Sequence, residues 1–112
     1  MERGAVWWAE LPYPVASEPG FRRPVVIVQS NAFNRSRIRT VVAVILTSNL
    51  RLAEAPGNIL IAAAESGLPK DSVANVSQVV TVDKSFLTTR CGSLPSRAMK
   101  AIDDGLRLVL SL

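Results

Sequence analysis

Apolar, β-branched runs separated by short polar segments make up most of this chain. Two of the runs, Pro24–Gln29 and Thr40–Thr47, contain hardly any polar residues, which is typical of strands buried on both faces. Ala5–Leu11 alternates more loosely and predicts another strand. Three shorter strands are predicted further on, the middle one either bent or divided in two: Asn58–Ala62, Ser72–Val76 with Gln78–Val82, and a strand around Arg90–Ser93.

The polar segments between these runs predict loops and turns, most of them marked by Pro, Gly, Asn, Asp or Ser. In one of them Asn31 is suited to cap a short helical turn. The last of them can be a simple turn or a single helical turn. The predicted loops and turns are Pro12–Arg22, Ser30–Arg39, Ser48–Gly57, Ser66–Asp71 and Asp83–Thr88.

The C-terminal segment changes to a helical period. Apolar residues recur there at intervals of three and four, which predicts an amphipathic helix over Pro95–Leu110, with Met99, Ile102 and Leu106 on its core face. Pro95 suits the first helical position, where its missing N–H costs nothing. Gly105 should weaken the helix by about 1 kcal/mol relative to alanine.

Short strands followed by one helix predict the α+β class. The expected architecture is a small β-barrel, or a strongly bent antiparallel sheet, with a C-terminal amphipathic helix. A length of 112 residues fits one domain, residues 1–112.

The composition predicts where in the cell the protein is located. The longest apolar runs have six residues, whereas a membrane-spanning helix needs about 20, and the N-terminus does not have the pattern of a secretory signal. Cys91 is the only cysteine, so no internal disulfide can form and a reducing cytoplasm is the expected location. We interpret Cys91 as a small buried residue in preference to a functional thiol.

Charge is distributed unevenly. The chain has thirteen basic and nine acidic residues, and ten of the thirteen basic residues are arginine. No acidic residue occurs from Pro19 to Ala53. Six arginines fall in that stretch, which predicts one positive surface and an anionic partner, because guanidinium groups match phosphate oxygens. The alternative is a solvated basic face. These arginines are Arg22, Arg23, Arg35, Arg37, Arg39 and Arg51.

The residues that are missing exclude several kinds of chemistry. The chain has no histidine, one cysteine and scattered carboxylates, so a zinc site and a histidine-activated nucleophile are not expected. Neither GxGxxG nor GxxxxGK(S/T) occurs, so a glycine-rich phosphate loop is not expected either. We expect no cofactor and no metal. Cleavage of RNA by its own 2′-OH remains open, since it needs only a base, a donor to the leaving oxygen and positive charge.

Several segments resemble the MazF/PemK family of toxins. Arg3–Trp8 is similar to the first strand of that family, Ser17–Gln29 to its Ser-Glu…Arg-Pro-Val signature, and Thr40–Ser48 to the strand that ends in its active-site threonine. The resemblance covers nearly the whole chain. It implies an SH3-like β-barrel with a C-terminal helix, a homodimer, and sequence-selective cleavage of single-stranded RNA to 2′,3′-cyclic phosphate and 5′-OH ends.

The resemblance also implies roles for individual residues. Arg23 matches the catalytic arginine and Thr47 the catalytic threonine, while Glu18 matches a glutamate proposed as base in some members. For Glu18, an ion pair that fixes its loop is the alternative. Trp7 and Trp8 should point to opposite faces of their strand, in the core or an interface, although one of them could stack on a base. The candidate substrate-binding residues are Ser17, Ser48, Arg22, Gln78 and Arg51.

A further partner is implied, an antitoxin whose acidic, flexible tail covers the RNA groove. Two other functions stay open. One is a toxin of the same fold that poisons DNA gyrase by protein binding, but such relatives use a C-terminal tryptophan motif and this chain ends Leu-Val-Leu-Ser-Leu. The other is a nucleic-acid-binding barrel without catalytic activity.

Overall fold

The computed structural model describes residues 1–12 and 21–112. In these ranges six strands form a single sheet, together with three α-helices and two short 3-10 helices, Leu50–Glu54 and Lys84–Phe86. The strands are β1 Ala5–Glu10, β2 Arg22–Ile27, β3 Thr40–Thr47, β4 Ile59–Ile61, β5 Ser72–Asp83 and β6 Leu87–Ser93. The α-helices are α1 Asn31–Asn34, α2 Ala63–Ser66 and α3 Ser96–Leu110.

The sheet is antiparallel throughout, in the order β4-β5-β3-β2-β1-β6. β5 and β6 are thus four strand positions apart, about 19 Å in a flat sheet. Only Lys84–Phe86 connects them, and three residues of 3-10 helix advance about 6 Å. The sheet must therefore curl until β5 and β6 approach each other, which confirms the predicted strongly bent α+β architecture.

β5 is one bent strand, which decides between the two alternatives predicted for it. Its pairing with β3 is regular except at one point, where Val44 pairs with Val79 but Ile45 pairs with Asn75. The extra residues on the β5 side form an irregularity of the bulge type, and such bulges bend a strand and increase its twist. The irregularity therefore lies where the sheet needs curvature.

The two faces of the sheet carry separate cores. On the outer face Met99 and Ile102 of α3 pack against alternate residues of β1, β2 and β3, with Leu106 partly buried beside them. This confirms the predicted core face of the helix. The inner cluster takes its described members from the strands and from Leu11, and the curl of the sheet buries it. Its members are Ala5, Ala9, Leu11, Val25, Ile27, Val41, Ala43, Ile45 and Val82.

Some local predictions were wrong. Ser30, not Asn31, caps α1, because the Ser30 side chain accepts a hydrogen bond from the Phe33 N–H. Asn31 Oδ1 instead accepts the backbone N–H of Arg3 at 2.7 Å. Pro95 was predicted as the first helical residue, but it occupies the N-cap of α3, and the helix begins one residue later at Ser96.

The short helix α2 was not predicted, since four residues give too little periodicity. It ends at Gly67, which has a φ of +80°. A Cβ added at Gly67 would lie 2.2 Å from the carbonyl oxygen of Cys91 on β6. Only glycine allows α2 to approach β6 this closely. None of the described helices is long and apolar enough to cross a membrane.

Candidate active site

The register of β2 and β3 relates two of the predicted catalytic residues. β2 and β3 pair with Val25 opposite Ile45 and Val26 opposite Val44. Continued by two residues, this register sets Arg23 opposite Thr47, on the same face of the sheet. Directly opposed residues in antiparallel strands have Cβ atoms about 5 Å apart. The fold therefore brings together two residues that are far apart in the sequence.

Thr47 is the last residue of β3 and is only 3% exposed. Its Oγ1 accepts a hydrogen bond from the backbone N–H of Asn49 at 3.1 Å. A hydroxyl bonded to the backbone two residues ahead stabilises a tight turn. The position of the Thr47 hydroxyl is thus set by the turn that ends the strand.

A cleft of about 200 Å³ lies beside this pair. The floor of the cleft is apolar and is formed by Trp8, Pro24 and Leu46 from adjacent strands. The segment between α2 and β5 forms one side. The cleft is smaller than the roughly 300–1,000 Å³ of sites for drug-sized ligands, so it suits one group of a longer chain. The full lining is Trp8, Arg23, Pro24, Leu46, Ser48, Leu68, Pro69, Lys70 and Ser72.

Three cations lie in or beside the cleft. Arg23 and Lys70 line it, and the Arg22 guanidinium lies over the ring of Trp8, 4.2 Å from the centroid. Arg22 Nε is also 3.6 Å from Glu10 Oε1, with both side chains about half exposed. This cation–π contact orients the guanidinium, and the three cations suit the cleft and its surroundings to a ligand that carries a phosphate.

The structure brings only some of the predicted site residues together. Arg23 and Ser48 line the cleft, Arg22 lies over its Trp8, and Thr47 is adjacent in sequence to two lining residues without lining it itself. Gln78 and Arg51 do not line it. Ser17 and Glu18 lie outside the described residues.

The two predicted residues outside the cleft have other contacts. Gln78 belongs to the irregular part of β5, where its Oε1 accepts a hydrogen bond from Asn75 Nδ2 at 2.8 Å. Arg51 is exposed on the 3-10 helix after β3, and its backbone N–H is bonded to Asn49 Oδ1. Their assignment to substrate binding has no support from the geometry of the cleft.

Lys70, Ser72 and Trp8 are lining residues that were not assigned to a site from the sequence. Trp7 and Trp8 do pack on opposite faces, as predicted, with Trp8 against the outer core. No local pattern marks Lys70, because it reaches the cleft only when the segment after α2 folds beside β3. Its ammonium makes no hydrogen bond or ion pair within residues 1–12 and 21–112.

The arginines do not form one surface, which corrects the prediction from charge. Arg22 and Arg23 begin β2 and lie at the Thr47 end of the antiparallel strand β3. Three others, Arg35, Arg37 and Arg39, precede β3 and lie beyond its opposite end, about 23 Å away along eight residues. The acid-free stretch of sequence therefore gives two separate basic regions.

Two titratable groups have shifted pKa values, and neither is a lining residue of the cleft. Hydrogen bonds from Ser85, and to a smaller extent the charge of Arg39, lower the pKa of Asp83. Burial raises the pKa of the Cys91 thiol, which packs partly buried against the outer core. A partly buried thiol with a raised pKa fits the structural interpretation of Cys91. Within the described ranges, no three His, Cys, Asp or Glu residues are grouped to bind a metal ion.

Comparison with known proteins identifies relatives over the full chain. The family model for PemK-like and MazF-like toxins of type II toxin–antitoxin systems matches residues 2–110. The chain is 46% identical to endoribonuclease MazF6 of Mycobacterium tuberculosis H37Rv, covering 100% of this chain and 98% of that protein. It is 35% identical to endoribonuclease EndoA of Bacillus subtilis 168, with 100% and 96% covered.

Two solved structures of similar proteins have the same fold as this chain. A mycobacterial endoribonuclease in complex with its cognate antitoxin aligns with a TM-score of 0.76 and 28% identity, over 100% of this chain and 94% of that one. MazF from Deinococcus radiodurans aligns with a TM-score of 0.80 at 18% identity, over 100% and 97%. The second likeness concerns the fold alone.

Proposed function

Since this chain belongs to the PemK-like and MazF-like toxins of type II toxin–antitoxin systems, we propose that it cleaves single-stranded RNA without a metal ion. The observation that carries the proposal is the placement of Arg23 and Thr47. The register of β2 and β3, continued by two residues, sets them opposite each other, and a cleft with cationic and hydroxyl groups lies beside them. The gyrase-poison alternative is not favoured, because the full-length relatives named above are endoribonucleases.

In the proposed reaction the ribose 2′-OH attacks the adjacent phosphorus and loses its proton to a base. The bond from phosphorus to the 5′-oxygen then breaks, and that oxygen takes up a proton from water. The products are a 2′,3′-cyclic phosphate and a 5′-OH. We keep Glu18 as the proposed base on the resemblance alone, because it lies outside the described residues.

Arg23 and Thr47 act on the phosphate in this scheme. The guanidinium of Arg23 carries a fixed fork of N–H donors, with which it stabilises the charge that develops on the non-bridging oxygens. Donors placed before the reaction starts are effective because they need no reorganisation. The Thr47 hydroxyl supplies a further hydrogen bond to one of these oxygens.

Two partners are proposed along with the activity. The similar mycobacterial endoribonuclease was solved with its cognate antitoxin, and an acidic antitoxin segment would complement the cationic cleft of this chain. A homodimer is proposed from the family resemblance.

The test of the activity is an assay on a long RNA in excess EDTA, beside the same sequence in 2′-deoxy form. We expect cleavage of the RNA to resist EDTA and the deoxy strand to stay intact, because the reaction uses the 2′-OH and no metal. Gel analysis of the products and their 5′ ends gives the readout. Cutting of the deoxy strand would exclude the 2′-OH mechanism, and binding without cutting would favour the non-catalytic barrel.

Thr47→Val should lower the single-turnover cleavage rate about 100-fold, as when one preorganised donor is removed. It should also cost about 1 kcal/mol of stability, since the Asn49 N–H loses its acceptor. Thr47→Ser should keep most of the activity. Thr89→Val, at an exposed position of β6, is the matched control and should cleave like the wild type. A fully active Thr47→Val protein would remove the hydroxyl from the mechanism.

A further inference from the structure

We propose that the cleft binds one nucleobase next to the scissile phosphate, stacked on the Arg22 guanidinium and contacted at its edge by Lys70. The proposal rests on the proposed function, because it assigns the base-recognition part of the same site. Trp8 is a positioning residue in it, acting through Arg22. Neither Trp8 nor Lys70 has a role in the cleavage scheme above.

A stacking surface is already formed beside the cleft, where Arg22 lies on the ring of the lining residue Trp8. Trp8 packs against the outer core, so its ring has a fixed orientation, and Arg22 lies on that ring at 4.2 Å from the centroid. The Arg22 side chain remains 48% exposed. Unstacked RNA bases commonly stack on guanidinium planes. A guanidinium oriented beforehand by an aromatic ring loses less conformational freedom when a base stacks on it.

The shape and lining of the cleft also suit a base. Pro24 and Pro69 line the cleft with apolar surface, and the buried side chains of Leu46 and Leu68 lie behind them. A volume of about 200 Å³ admits one small ring system and excludes a folded partner. Four polar residues, Arg23, Ser48, Lys70 and Ser72, share the lining with this apolar surface, and a few such groups can orient a ligand by hydrogen bonds.

The polar groups favour a particular class of base. The Lys70 ammonium has three donors and no acceptor, and it has no partner within the described residues. It can therefore pair with a carbonyl oxygen but not with an exocyclic amine. Uracil and guanine present carbonyl oxygens on the edges where adenine or cytosine presents an amine. We expect a preference for these two bases.

Arg23 relates the position of the bound base to the position of the cleaved bond. It lines the same cleft and faces Thr47 across the strand pair, so a phosphate at Arg23 belongs to the nucleotide whose base occupies the cleft or to its direct neighbour. The position affected by Lys70 should therefore be adjacent to the cut.

The first test compares the bases flanking all cleavage sites in a long RNA for the wild type, Lys70→Met and Lys100→Met. Lys100 is an exposed lysine of α3 outside the cleft and serves as the matched control. We expect Lys70→Met to lose about ten-fold in preference for uracil or guanine at one position adjacent to the cut, and Lys100→Met to match the wild type. An unchanged preference in Lys70→Met overturns the assignment.

The second test addresses the stack by binding. Fluorescence anisotropy measures the affinity for an oligonucleotide with a single 2′-deoxy residue at the cut, beside the same oligonucleotide with an abasic residue in the adjacent position. Arg22→Lys keeps the charge and its pairing with Glu10 but removes the plane. We expect it to weaken binding of the base-bearing strand about ten-fold and of the abasic strand less than two-fold. Equal losses for both strands overturn the stack.

The two proposals fail separately. A wild-type protein that cuts no RNA, although it folds and binds the deoxy-substituted strand, contradicts the proposed function. A wild-type protein that cuts RNA while neither variant alters base preference or base-dependent affinity contradicts only the base site.

Discussion

Arg23→Ala is expected to abolish RNA cleavage, with a fall of about 1,000-fold in the single-turnover rate. The loss exceeds that for Thr47, since both a fixed positive charge and a fork of donors disappear next to the phosphate. Arg23 is half-buried near the start of β2, outside both core clusters. The variant should therefore fold, with a change in unfolding free energy of about 1 kcal/mol.

Single-turnover cleavage and thermal unfolding, measured on the same preparations, check this result. Arg107→Ala is the matched control, because Arg107 is an exposed arginine of α3 whose ion pair with Asp104 lies at the surface. Such pairs contribute less than about 1 kcal/mol, so both measurements should resemble the wild type. Turnover by Arg23→Ala near the wild-type rate would remove Arg23 from the site. Arg23→Lys should recover only part of the rate, since it restores charge without the fork.

Gly105→Ala is expected to destabilise the protein, although helix propensity alone predicts a gain of about 1 kcal/mol. A Cβ at Gly105 would lie 2.2 Å from the Gly57 carbonyl oxygen and 3.1 Å from Val76 Cγ1. Helix α3 must then move away from the turn at Gly57, and such overpacking costs about 1–3 kcal/mol or more when backbone is involved. A less stable Gly105→Ala protein shows that the steric cost exceeds the gain in helix propensity, and a more stable one shows the reverse.

Urea unfolding of Gly105→Ala provides the measurement. Leu108→Ala on the same helix is the control, since Leu108 is 62% exposed and its truncation should change stability by about 0.5 kcal/mol at most. A Gly105→Ala protein more stable than the wild type would show that the helix shifts without cost. The glycine would then be dispensable for packing.

Elements with strong local patterns could be predicted from the sequence. Thr40–Thr47 is an uninterrupted β-branched run, and its predicted bounds are those of β3. The predicted C-terminal helix differs from α3 by one residue at its start. β2 begins two residues earlier than predicted, because Arg22 and Arg23 are polar residues that extend a strand whose apolar part starts at Pro24.

What depends on distant parts of the chain could not be predicted. The sequence places Arg22, Arg23 and Arg39 in one acid-free stretch, but the antiparallel turn of the chain sends them to opposite ends of β3. Lys70 reaches the cleft only through the path of the segment after α2. From the sequence, Gly105 could be interpreted only as a residue that weakens its helix. Its close approach to Gly57 depends on the fold.

β2 and β3, which carry Arg23 and Thr47, each have hydrogen-bonded neighbours on both sides. Amide hydrogens in such central strands exchange slowly, because their exposure requires the sheet to separate, whereas terminal turns and edge strands open at much lower free energy. The relative position of the two residues is therefore maintained whenever the chain is folded. An inhibitor of this site should therefore bind in the cleft, because deforming the strands beneath it would require much more free energy.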